Sequence, residues 1–133
     1  MSEASLQSSV LKYLNSLPGC CAENVSGNSQ QSGRADINGV YHRFSFRIEL
    51  KVLDNGNKPT RKQMLNLIKW FKGGSAICVA YTLEDVEHFI MNFMTDTSWK
   101  KAYKNGCCAF GCYIMEEFTN EFFKEYKQLY IQD

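Results

Sequence analysis

Apolar positions along the chain change period several times, and each change marks an element. Leu6, Val10, Leu14 and Leu17 recur at intervals of four, four and three, one stripe of a 3.6-residue helix. Ser2 stands where a cap belongs and Pro18-Gly19 where a stop belongs, which predicts a helix over 2–17. Residues 20–25 read as a short strand, and the small or polar run 26–33 as a loop with nothing to pack. Asp36 to Tyr41 reads as a second short strand. From Phe44 the period drops to two. Phe44, Phe46, Ile48, Leu50 and Val52 share one face of a strand over 44–52, and Ser45, Arg47, Glu49 and Lys51 share the other.

The helical period then returns. After a turn at 54–57, Thr60 can cap a helix over 61–72 with Met64, Leu65, Ile68 and Phe71 inward, closed by Gly73-Gly74. Ala76 to Ala80 is unbroken apolar sequence, the signature of a buried central strand. Thr82 opens a helix to about Met94, built on Val86, Phe89, Ile90 and Phe93. A polar connection leads to a further strand within Cys107–Met115 and a last amphipathic helix over 117–131, with Phe118, Phe122, Tyr126 and Leu129 on one side. The order α-β-β-β-α-β-α with a β-α tail predicts an α/β domain, a central mixed sheet flanked by helices.

Composition narrows the class. At 133 residues, 44% apolar and 22% charged, the chain is an ordinary globular length and mixture, which excludes disordered, collagen-like and coiled-coil proteins. One domain over 1–133 is expected, with 1–95 as core and 96–133 as a C-terminal extension. The first residues have no basic, apolar leader pattern, and no apolar stretch approaches the roughly 20 residues a membrane helix needs. A soluble, cytoplasmic protein without a membrane partner is expected. Its six cysteines, Cys20, Cys21, Cys78, Cys107, Cys108 and Cys112, should then stay reduced and pack as small hydrophobes. A zinc module would need Cys107, Cys108 and Cys112 to converge with Cys20 or Cys21, without a C-x2-C knuckle to help.

Charge changes the picture once it is resolved along the sequence. The net +1 conceals nine basic against three acidic residues over 34–72, a local +6, with −1 before and −4 after. That basic block surrounds the candidate chemistry. Asp36 and Glu49 lie 13 residues apart in segments that read as an antiparallel pair, so they can meet at one end of the sheet. Glu49 and Lys51 share a strand face. Two carboxylates at one point need a cation between them, and a hard divalent ion suits oxygen ligands. An ammonium beside them can orient water and steady charge on a phosphoryl group. On its own a Glu-x-Lys is ordinary strand surface. The apolar opposite face, the Gly33-to-Asp36 segment before it and Gln63 twelve residues after Lys51 single it out.

Ser32-Gly33-Arg34-Ala35-Asp36, Ile48-Glu49-Leu50-Lys51, Lys58-Pro59-Thr60-Arg61-Lys62-Gln63 and Glu3 in the first helix together resemble the PD-(D/E)XK nucleases. The likeness is greatest to the compact VRR-NUC and phage-type Holliday-junction-resolvase group. It covers roughly residues 1–95, and the strand-to-helix join at Ala80–Val86 fits it. The resemblance implies a restriction-endonuclease-like fold and a metal-dependent endodeoxyribonuclease selective for branched DNA. It implies that Asp36 and Glu49 hold Mg²⁺ or Mn²⁺ with the Leu50 carbonyl, that Glu3 is an outer ligand, that Lys51 positions the attacking water, and that Gln63 supports the site. Ala35 stands where the family usually has Pro, a position that shapes backbone and does no chemistry.

Arg34, Lys58, Arg61, Lys62 and Ser32 are the candidate DNA contacts, of the kind that position a phosphate backbone without reading sequence. No Ser, Tyr or His is placed as a nucleophile, so hydrolysis in one step without a covalent intermediate is expected. Aromatic residues crowd the tail and would cover the domain's own sheet or form a homodimer face, since symmetric cutting of two strands suits a two-fold pair. The alternative from another class is a catalytically silent module of the same fold that binds DNA or protein.

Overall fold

The computed structural model describes residues 2–25, 35–52, 59–95, 108–109 and 112–113. The expected loop 26–33, the turn 54–57, the connection after Asp96 and the helix over 117–131 lie outside the described residues. Within them the order is α1 (Glu3–Ser16), β1 (Cys20–Asn24), β2 (Ile37–Tyr41), β3 (Phe44–Leu50), α2 (Arg61–Lys72), β4 (Ala76–Ala80), α3 (Leu83–Thr95), β5 (Cys108–Ala109) and β6 (Cys112–Tyr113). The strands form one mixed sheet in the order β1-β2-β3-β4-β6-β5. β1, β2 and β3 are an antiparallel meander, while β3 pairs parallel with β4 and β4 parallel with β6. Parallel neighbours need a crossover, and α2 supplies the one between β3 and β4.

Two cores follow from the pleat. Phe46, Ile48 and Leu50 of β3 and Ala76, Cys78 and Ala80 of β4 meet Leu6, Val10 and Leu14 of α1 and Val86, Phe89 and Ile90 of α3. On the opposite face Ile77, Val79 and Tyr81 meet Met64, Leu67 and Ile68 of α2. The centre of the sheet is therefore covered on both faces, which is why β4 is buried along its whole length. The helices start where the sequence places them. Ser2 accepts from the Ser5 amide at 3.1 Å, and Thr82 accepts from the Asp85 amide at 3.1 Å. Asn15 ties α1 to the sheet edge, its amide exchanging two hydrogen bonds with the Ala22 backbone.

Three expectations are corrected. β3 ends at Leu50 instead of Val52, although Val52 still packs against the first core. Phe44, expected in the core beside Phe46, is 50% exposed. It pairs with Tyr41 next to the β2–β3 turn, at the end of the strand away from the buried row. The expected single strand within Cys107–Met115 is two short antiparallel strands, β5 and β6. The β2–β3 turn is His42-Arg43, with φ of 47° and 76°, the paired positive values of a tight hairpin, made without glycine. His42 is held from behind, its amide bonding Gly19 O at 2.9 Å. Gly19 is required twice over: its φ is +76°, and a Cβ there would come within 2.7 Å of the His42 ring.

Candidate active site

The ladder between β2 and β3 pairs Ile37 with Ile48, so the next residues outward, Asp36 and Glu49, come side by side at one end of the sheet. That end is also the carboxyl end of the parallel pair β3–β4, where open α/β sheets gather their ligands. Asp36 continues past the last β2 pair by using its side chain. Oδ2 accepts the Leu50 amide at 2.8 Å, in place of a backbone bond. Lys51 is fixed in turn by its own amide, which donates to Ala80 O at 3.0 Å.

Glu49 is 2% exposed, one of the few polar groups in the buried set. Its two oxygens differ. Oε1 accepts from Gln63 Nε2 at 2.7 Å and faces Lys51 Nζ at 3.5 Å. Oε2 is buried with no hydrogen-bond partner. Burial pushes the Glu49 carboxyl up to about 8, the Asp36 charge adds to that, and Lys51 opposes it. Burial also raises Asp36, the Leu50 amide holds it down, and the Glu3 charge pushes it up. Two acids so placed do not both ionise readily, and the side chains present leave one acceptor unsatisfied. A buried orphan oxygen beside a second carboxylate fits a hard divalent cation, which takes one or two carboxylates and completes its shell with waters and substrate oxygens.

Gln63 is held at both ends. Its Oε1 accepts from the Thr60 amide at 2.9 Å while the Gln63 amide bonds Thr60 Oγ1 at 3.1 Å, a complete capping box at the start of α2. Because Oε1 is committed to a backbone donor, Nε2 must point at Glu49. Thr60, expected only as a cap, thus sets which way the Gln63 amide faces; the signal was the Thr-x-x-Gln spacing itself.

Glu3 is exposed at the start of α1, near enough for its charge to act on both acids. Among the described residues no group of three or more His, Cys, Asp or Glu side chains converges, so Glu3 is not part of a three-acid cluster and the described Cys20, Cys21 and Cys78 make no zinc site. Arg61 and Lys62 are exposed on the first turn of α2, beside Gln63. Ser32, Arg34 and Lys58 lie outside the described residues, as do the side chains of Cys107, Cys108 and Cys112. One pairing escaped the sequence reading: the Arg47 guanidinium lies 4.1 Å from the centroid of the Trp70 ring.

No family model and no curated protein sequence matches this chain. Among described residues no helix is long and apolar enough to cross a membrane. A solved structure described as a VRR_NUC domain superposes with a TM-score of 0.55 at 21% identity, covering 67% of this chain and 94% of the other. The α/β sheet with helices on both faces thus has the fold of that VRR_NUC domain, and Asp36 and Glu49 lie at the ends of its parallel strands.

Proposed function

We propose that this protein is a metal-dependent endodeoxyribonuclease acting on branched DNA, in the manner of Holliday-junction resolvases. The observation that carries the reading is the orphaned Glu49 Oε2, buried beside Asp36 and backed by Lys51 on the same strand. A binding module has no use for a buried acid oxygen without a partner, which costs stability and does nothing until a cation arrives. Asp36 and Glu49 would hold Mg²⁺ or Mn²⁺, with the Leu50 carbonyl as a further oxygen donor, and Glu3, outside their cluster, would act on the ion through its charge. Such an ion, when bound, supplies water activation and polarisation of the phosphoryl group.

The chain's own residues do the rest. Gln63 fixes Glu49 Oε1 and leaves Oε2 to face the ion. Lys51 orients the attacking water and donates to the oxygen on which charge builds at phosphorus. The Leu50 amide keeps Asp36 in place and eases its ionisation. Arg61 and Lys62, with Ser32, Arg34 and Lys58, draw the phosphate backbone to this end of the sheet. The reading treats 1–133 as one nuclease domain, intracellular and acting as a homodimer, with 96–133 as its extension.

The test is to incubate purified protein with a four-way junction, a linear duplex and a single strand, in Mg²⁺, Mn²⁺ or EDTA. Cleavage of the junction in metal, lost in EDTA and lost in Asp36→Ala, is the expected result. No cleavage of any substrate, or an Asp36→Ala variant that cuts like wild type, sinks the reading in favour of a silent binding module. Mass by light scattering, with and without junction, tests the dimer.

A further inference from the structure

Trp70 is 41% exposed, its apolar ring partly in water and its N–H free to meet a polar partner there. It is not loose. The Arg47 guanidinium lies against its ring at 4.1 Å, and that guanidinium is anchored through Nη1 to Ser45 Oγ at 3.1 Å and Phe46 O at 2.9 Å. Ser45 Oγ is braced in turn by Ser75 Oγ at 3.1 Å. The indole is therefore seated on a fixed, positively charged support, with part of its surface turned to solvent.

Its surroundings point to one kind of ligand. α2 carries four basic residues and no acidic one over its 12 residues, and at about 100° per residue the exposed Lys62 and Lys69 flank the edge that holds Trp70. Trp70 and Gln63 are seven residues apart, two turns along one edge of this helix, roughly 10 Å at 1.5 Å per residue. Gln63 touches Glu49 and Trp70 touches Arg47, so this edge runs along β3 straight from the acidic site. Beyond that edge the same sheet face stays open, with Cys21 exposed and Val40 44% exposed. A flat aromatic surface on a cationic seat, flanked by lysines, is the arrangement that stacks nucleobases.

We infer that Trp70, seated on Arg47, is a stacking platform for an unpaired base of the DNA substrate, about three nucleotides along the strand from the bond placed at Glu49. The inference rests on the nuclease reading and deepens it, since an unpaired base is what a fork or branch offers and a blunt duplex withholds. A paired base hides its faces in the helical stack, so the platform gives preference for disrupted DNA without reading sequence.

The experiment measures binding of the full-length protein in EDTA, where nothing is cut, to a fork with single-stranded arms and to a blunt duplex of the same length. Both carry 2-aminopurine. Trp70→Ala is expected to weaken the fork about 5- to 100-fold more than the duplex, and to abolish the quenching of the fork's single-stranded 2-aminopurine. Trp70→Phe, which keeps a ring, should recover most of both signals, and Trp70→Leu, which keeps apolar bulk without a planar face, should not. Equal weakening of the two substrates, no weakening, or rescue by Leu overturns the platform. So does a change of oligomeric state in Trp70→Ala, which would give the ring to a second copy. Because binding is read without cleavage, the two ideas fail separately. Asp36-dependent cutting that is blind to Trp70 removes the platform alone, and Trp70-dependent fork binding without any cutting removes the nuclease alone.

Discussion

The two faces of β3 are one residue out of phase and answer to different demands. Phe46, Ile48 and Leu50 are fully buried against α1 and α3, where each large apolar side chain contributes about 1.5–3 kcal/mol by leaving water. Ser45, Arg47, Glu49 and Lys51 project to the side of α2. There Met64, Leu67 and Ile68 pack with β4's Ile77 and Val79, and β3 offers them a polar row. Glu49 on that row is compensated only at Oε1, by Gln63 and Lys51, and its buried Oε2 without a partner counts against the stability of the cation-free protein. One strand thus carries a face that holds the fold and a face whose buried acid counts against it, the relation expected between a scaffold and the site proposed above.

The sharpest way to break this contrast is to strip the polar face. Asp36→Ala and Glu49→Gln should fold as wild type by circular dichroism and lose metal-dependent cleavage to the assay background; retained cleavage would place the chemistry elsewhere. Stripping the apolar face should do the reverse in kind. Phe46→Ala, which opens a cavity between Gly39 and Phe89, should cost about 3–5 kcal/mol in urea unfolding. A loss of less than about 1 kcal/mol would mean that the two faces contribute alike.

The pH dependence carries a sign. Glu49 holds its proton in the folded chain up to about 8 and releases it near 4.5 when unfolded. Between those values the folded state binds more protons, so the metal-free protein loses stability as pH rises through that window. Melting temperatures should fall from pH 5 to pH 8 in EDTA, stay flatter in Glu49→Gln, and recover at the upper end when Mg²⁺ is added. Parallel melting curves for wild type and Glu49→Gln would contradict a buried acid that keeps its proton in the folded chain. Smaller again, Gln63→Ala should lower cleavage about 10- to 100-fold through a loosened Glu49, with metal affinity falling alongside. The smallest effect expected is from Thr60→Ala, about 1 kcal/mol of stability from the lost cap, with a modest fall in activity as the Gln63 amide loses its fixed direction.

Local signals carried most of the fold into the sequence. The period of two in β3, the unbroken apolar β4 and the caps at Ser2, Thr60 and Thr82 are written in neighbouring residues, and so is the spacing that brings Asp36 beside Glu49. What was hidden is whatever depends on a distant partner. Alternation alone reads Glu49 as a strand's wet side, yet α2 covers it and leaves it 2% exposed. Phe44 has the same phase as Phe46 but stands beside the hairpin turn, where its own face is left 50% exposed. Arg47 and Trp70 are 23 residues apart on a strand and a helix, and no periodicity links them. The capping box was legible as a cap. Its second use, aiming an amide at an acid 14 residues earlier, needs the fold.

The His42-Arg43 turn has a practical side. Two residues with side chains sit in a backbone region that disfavours a Cβ by about 1–2 kcal/mol each, at the opposite end of the β2–β3 pair from the two acids. His42 is packed over Gly19 and should stay. Arg43→Gly would relieve its share of that penalty, offset in part by the greater freedom of glycine in the unfolded chain. The gain lies far from the chemistry, which makes this turn the place to install a sturdier host. In such a background, core and cap variants that leave the parent too fragile to purify could still be prepared and assayed.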